Sequence, residues 1–181
     1  MSNSVTEKKV FITSTKYDGN LGGLAGADAK CQARASAGGL SGTYKAWLSD
    51  ASTSAASLLT HAPVPYKMLN GTAIANDWSS LVASYILNEF KIDEFGNAIP
   101  YDPGGSVSGC SWAGGMFFFP WTCTTNSANI ANASKNCSNW TTNSSGVVGE
   151  VGLGGYSLSQ WTDWCTEFNC NLTNRLYCFE E

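Results

Sequence analysis

Apolar and polar positions along this chain change period several times, and each change marks an element. Leu24, Ala27, Cys31 and Ala35 recur at helical spacing between Gly22 and Gly39, which predicts a short helix with one face of small apolar residues. Asp28 is placed in its first turn, where a carboxylate suits the positive end of the helix dipole. Gly38 and Gly39 follow the last periodic residue and can adopt the left-handed stop conformation. The period then becomes two. Tyr44, Ala46 and Leu48 alternate with Lys45 and Trp47, the pattern of a strand.

The same reading continues on both sides. Residues 10–13 predict a first strand and residues 174–179 a last one. Residues 52–60 suit a short helix with Ala55, Leu58 and Leu59 inward, broken by Ala62-Pro-Val-Pro65. Residues 66–69 and 72–75 flank Asn70-Gly71, a strong hairpin signal because both residues tolerate positive φ. Asp77 can cap a helix over residues 78–83. Residues 90–93 and 98–99 suggest a second hairpin around Glu94-Phe-Gly-Asn97. From 100 to 145 the periodicity fades into clusters of Gly, Asn, Ser and Thr. So long an irregular stretch in a compact domain usually serves binding.

Composition narrows the class. The chain has 181 residues, 13% charged and 12% aromatic, with a net charge of −4. That length suits one domain, and no repeat or linker interrupts it. The expectation is a single domain over 1–181, with 1–8 as a flexible tail or an added start. Arg34 and Arg175 are the only arginines, so no basic stripe answers nucleic-acid phosphates. No stretch reaches the roughly eighteen apolar residues of a membrane-spanning helix. Residues 1–9 lack the apolar run of a secretory leader, which reads as a mature form or a piece of a larger protein.

Seven cysteines, Cys31, Cys110, Cys123, Cys137, Cys165, Cys170 and Cys178, stand beside one histidine, His61. No Cys-x-x-Cys pair is present, so a zinc site lacks its clustered ligands. Disulfides fit better and imply an oxidising compartment. An odd count leaves one thiol free or intermolecular.

Gly26-Ala27-Asp28-x-x-Cys31 followed by Gly39-Leu40-x-Gly42-Thr43-Tyr44-x-Ala46-x-Leu48-Ser49 resembles the endostatin domain at the C-terminus of certain collagens. The likeness returns at Cys137-Ser-Asn-Trp140 and at Cys170-x7-Cys178. The endostatin-like outer-surface proteins of spirochaetes are the more similar branch. The resemblance implies an α+β, C-type-lectin-like fold of mostly antiparallel strands, short helices and long loops. It also implies bridges Cys31–Cys178 and Cys137–Cys170, each contributing on the order of 4 kcal/mol in the chain-entropy model. For the remaining cysteines, Cys110–Cys123 and Cys123–Cys165 stay open as alternatives.

Three constellations bear on function. Trp112-Ala-Gly-Gly-Met-Phe-Phe-Phe-Pro-Trp121 holds six large apolar side chains. They either plug the base of the loops or form an exposed platform for sugar rings or a protein partner. Trp112, Phe117, Phe118 and Trp121 are its candidate contacts, and Trp161, Asp163 and Trp164 invite the same two readings. Asp93-Glu94-Phe-Gly-Asn97 offers oxygen ligands for calcium, but a hairpin turn explains Asp, Gly and Asn equally well. His61 has no nucleophile motif beside it, and no Gly-x-Ser-x-Gly turn occurs. The expectation is therefore a non-catalytic module without metal or cofactor, extracellular or on a bacterial cell surface. Its expected partner is a matrix or cell-surface protein or glycan, with association between copies left open. The alternative is a structural subunit or tip domain of a surface fibre or layer.

Overall fold

The computed structural model describes residues 6–83, 85–101 and 118–181, with the backbone of two short paired strands, β5 (Ser106–Val107) and β6 (Cys110–Ser111). The fold is α+β. A five-stranded sheet is ordered β2 (Tyr44–Ala46), β9 (Tyr177–Glu180), β1 (Lys8–Ile12), β3 (Tyr66–Met68), β4 (Ala73–Ala75). Three of its pairings are antiparallel, and β1–β3 is parallel.

The sheet is buried on both faces, and the side-chain period of two sorts residues between them. Val10 and Ile12 of β1, with Tyr177 and Phe179 of β9, enter one apolar cluster that also holds Trp47, Phe90 and Trp161. Phe11 and Cys178, their neighbours in sequence, enter the opposite cluster with Leu21, Trp121 and Trp140. Helix α1 (Gly23–Ala37) lies on the second face and buries Ala27, Cys31 and Ala35. Three of the four periodic residues therefore face inward as the spacing predicts. Asp28 is not in the first turn. It sits further along the helix, where its carboxylate accepts from the Ala46 N–H at 2.9 Å and ties α1 to β2. Gly39 takes the left-handed conformation that ends the helix.

Short elements follow the local signals closely. Helix α2 (Ala55–Leu58) buries Ala55, with Leu59 buried just beyond it. β3 and β4 form the Asn-Gly hairpin, with Gly71 at φ 85°. Asp77 caps α3 (Trp78–Leu81) in a reciprocal capping box with Ser80. The turn at residues 93–97 is closed by the Asp93 carboxylate, which accepts from the N–H groups of Phe95 and Asn97. Glu94 turns inward instead and pairs with Arg34 of α1 and with Ser14.

Cys31 is bonded to Cys178 and Cys137 to Cys170, the two pairs that the resemblance implies. Cys165 is also disulfide-bonded, whereas Cys123 is a buried free thiol. Both pairings left open for Cys123 are therefore corrected. Its Sγ donates to the Asn132 carbonyl at 3.0 Å, and burial pushes the thiol up to about 11. Disulfides persist in oxidising compartments, which puts the chain outside the reducing cytosol. No described helix is long and apolar enough to cross a membrane.

Candidate ligand-binding cleft

The Cys137–Cys170 bridge anchors the part of the molecule that carries a hollow of about 430 Å³. Residues Cys137, Ser138, Asn139 and Trp140 all have positive φ, between 49° and 61°, and so form a single left-handed turn. Its ends are held from outside. Cys137 is bridged to Cys170, and the Trp140 Nε1–H donates to the Ser49 carbonyl at 2.8 Å. Strand β7 (Val148–Glu150) packs directly on this turn. A Cβ on Gly149 would stand 2.7 Å from Cys137 Sγ and 2.9 Å from the Trp121 ring. Only glycine lets the backbone approach so closely.

β7 pairs antiparallel with β8 (Glu167–Asn169), and the register sets Glu150 directly opposite Glu167. Below the hairpin, the 3-10 turn Ser159–Trp161 leads into Thr162 and Asp163. Thr162 is locked from several sides. Its hydroxyl accepts from Trp47 Nε1 at 2.6 Å and donates to the Thr124 carbonyl at 2.8 Å. Its carbonyl accepts from the Thr122 hydroxyl at 2.6 Å. Asp163 and Trp164 are thus carried by rigid backbone into a hollow of about 430 Å³. Lys135, Glu150, Ser159, Gln160 and Glu167 complete its polar lining.

The hollow is short of positive charge. Lys135 Nζ bonds Glu167 at 2.9 Å, and both are about one-third exposed. Glu150 Oε2 is buried and has no hydrogen-bond partner among the described residues. Burial is the main cause that raises the Glu150 carboxyl to about 7, and the charges of Asp163 and Glu167 add to it, with Lys135 opposing. Burial also raises the Asp163 carboxyl, and among the described residues no hydrogen bond opposes it. Part-buried carboxylates with raised affinity for protons mark a place where a cationic or hydrogen-donating group would be welcome. Among the described residues, no three His, Cys, Asp or Glu side chains are grouped to hold a metal ion.

The residues expected from sequence divide sharply. Asp163 and Trp164 line the cleft. Phe118, Trp121 and Trp161 have no exposed surface, so the platform reading is corrected for them. Each fills a core site instead. Phe118 packs against Gly154, where a Cβ would meet its ring at 1.9 Å. Trp121 donates from Nε1 to the Tyr17 carbonyl and lies against Trp140. Trp161 sits among Trp47, Phe90 and Tyr177. Even Trp164 is 7% exposed, and its ring stacks on Phe119. Trp112 and Phe117 lie outside the described residues. His61 is exposed, stacks on Trp78 at 4.0 Å, and shares a hydrogen bond with the Ala56 carbonyl. Glu150, Lys135 and Glu167 were not foreseen. Only the hairpin register brings the two glutamates together, and no local pattern announces it.

Comparison with known proteins adds one likeness. A family model described as a protein of unknown function (DUF1554) matches residues 14–82, from just after β1 through α1, β2, α2 and the β3–β4 hairpin to the end of α3. No curated protein matches the chain. Over residues 14–82, then, this chain is similar to the DUF1554 family, whose match ends before the cleft.

Proposed function

We propose that the chain is a non-catalytic, extracellular binding module of the endostatin-like, C-type-lectin-like type, recognising a matrix or cell-surface protein or glycan through the cleft under β7 and β8. The reading of the fold rests on motif spacing at both ends of the chain and on the two bridges at the implied positions. One observation carries the cleft: the buried, unpartnered Glu150 Oε2 beside Asp163 in a rigid hollow. An unpaired buried acceptor costs stability. A partner that supplies a Lys or Arg side chain, or a donor hydroxyl, would recover that cost on binding.

The test is a panel of immobilised matrix proteins and a glycan array, probed with the wild type and with a Glu150→Gln/Asp163→Asn variant. The expected result is at least one ligand bound by the wild type and weakened by about tenfold or more in the variant, the scale of a lost charge-assisted contact. Unchanged binding by the variant would remove the cleft from the contact surface. Binding to no member of either panel would overturn the functional reading itself.

A further inference from the structure

Away from the cleft, one patch of surface combines an exposed aromatic ring with a neutral hollow. Tyr85, Leu87 and Leu158 are 59%, 48% and 50% exposed, and Ile86 between the first two is buried. Tyr85 pairs with Leu158 in an isolated antiparallel bridge, so their side chains stand on the same face. Leu87, two residues on, lines the same hollow as Tyr85. The segment is fixed to the body of the protein: the Ile86 N–H donates to the Ser157 carbonyl and the Leu87 N–H to the Ile74 carbonyl, each at 2.8 Å. The ring is therefore presented by held backbone.

Beside it lies a hollow of about 300 Å³ lined by Asn76, Ser80, Ala83, Tyr85 and Leu87. None of these residues carries a charge. Among the described residues, neither the Asn76 amide nor the Tyr85 hydroxyl has a hydrogen-bond partner. The volume stands at the lower end of small-ligand sites, and three apolar side chains fall well short of the roughly 1,000 Å² of a specific protein interface.

We propose that this hollow binds a neutral pyranose ring of a glycan. Such a ring has an apolar C–H face, a rim of hydroxyls and no charge. Tyr85 and Leu87 would cover the C–H face, and the free Asn76 amide would meet a hydroxyl. A charged sugar has no partner here, and a peptide would leave most of its length uncovered. The inference names a ligand class at a site that shares no lining residue with the cleft. It therefore does not depend on the reading given to Glu150 and Asp163.

Saturation-transfer NMR on the full chain tests it, with methyl α-D-mannopyranoside, methyl β-D-glucopyranoside and methyl β-D-galactopyranoside as probes and glucuronate as the charged control. The expected result is transfer to the ring C–H protons of at least one neutral glycoside and none to glucuronate. Tyr85→Ala should weaken binding by about tenfold or more, Tyr85→Phe should retain it, and Asn76→Ala should weaken it. Glu150→Gln should leave it unchanged, which separates this site from the cleft. Absence of transfer from all three glycosides, or equal transfer in Tyr85→Ala, would overturn the proposal. Preferential transfer to glucuronate would do the same.

Discussion

Glu150 stands directly opposite Glu167 across the β7–β8 ladder. Like charges in such a pair destabilise a sheet, and here Asp163 adds a third carboxylate, against the single Lys135. Lys135 is committed to Glu167, which leaves Glu150 to bear the repulsion. Burial is the main reason that its carboxyl is raised from the ordinary 4.5 to about 7, the charges of Asp163 and Glu167 add to it, and among the described residues no donor reaches its buried oxygen.

A stability profile follows from this. A carboxyl raised on folding binds its proton more tightly in the native state than in the unfolded one. Its contribution is fully present below the unfolded value near 4.5 and is lost as pH rises through about 7. The groups around it are Asp163, Lys135 and Glu167, with the Cys123 thiol also within its field. Glu150→Gln should therefore raise the melting temperature at pH 7.5, with the gain shrinking as pH falls and vanishing near pH 4. Thermal scans of both proteins across pH 4–8 check this. A gain that is constant with pH would mean that Glu150 is not the titrating group.

The frame of the molecule was legible in the sequence because its signals are local. Asn70-Gly71, Asp77 before Trp78, and the small-residue face of α1 each act within a few residues. The aromatic residues were harder to place for a physical reason. A run such as Phe-Phe-Phe-Pro-Trp has no period, so it does not say which side chains face inward. Glycine spacing decides that here, since Gly154 makes room for Phe118 and Gly149 for Trp121. The cleft was least legible of all. Glu150 and Glu167 are seventeen positions apart (167 − 150), and only the ladder register makes them neighbours.

The buried aromatics supply a second prediction. Trp161 has no exposed surface and touches three other rings. Trp161→Ala should destabilise the fold by about 3–5 kcal/mol, the cost of emptying a large core site. Tyr85→Ala, at an exposed position, should stay within about 0.5 kcal/mol of the wild type. Denaturant titrations of the two variants compare them directly, and similar losses would contradict the burial pattern.

Cysteine chemistry supplies a third. The Cys31–Cys178 bridge spans 147 residues and joins α1 to β9, an inner strand of the sheet between β2 and β1. Its removal by Cys31→Ser/Cys178→Ser should cost about 2–5 kcal/mol. Cys123 should behave oppositely. Its thiol is buried, held to the Asn132 carbonyl and raised to about 11, so it is protonated and unreactive at neutral pH. Iodoacetamide should leave Cys123 unmodified in the native, non-reduced protein and modify it after unfolding. Native-state labelling at that position would show that the site opens.

The left-handed turn at Cys137–Trp140 gives the fourth. A non-glycine residue in this conformation costs roughly 1–2 kcal/mol, and four occur in succession. Cys137 and Trp140 are held there by the bridge to Cys170 and the bond to Ser49. Asn139 is better suited than most residues to positive φ, and its carboxamide oxygen accepts from the Ala51 N–H. Ser138 has neither advantage. It is exposed, at φ 54° and ψ 56°, and among the described residues only its carbonyl is used, accepting from the Thr141 hydroxyl. A glycine at this position would relieve the strain and keep that bond, although it would also enlarge the entropy of the unfolded chain. A β-branched residue would increase the strain. Ser138→Gly should therefore be neutral to stabilising by up to about 1 kcal/mol, and Ser138→Val destabilising by about 1 kcal/mol or more. Opposite signs in a single denaturant series would establish that the backbone itself is under strain at the turn that carries β7 and the cleft above it. Equal and small effects would show that the turn relaxes without cost, and the support it gives to Glu150 would then have to come from Gly149 and the disulfide alone.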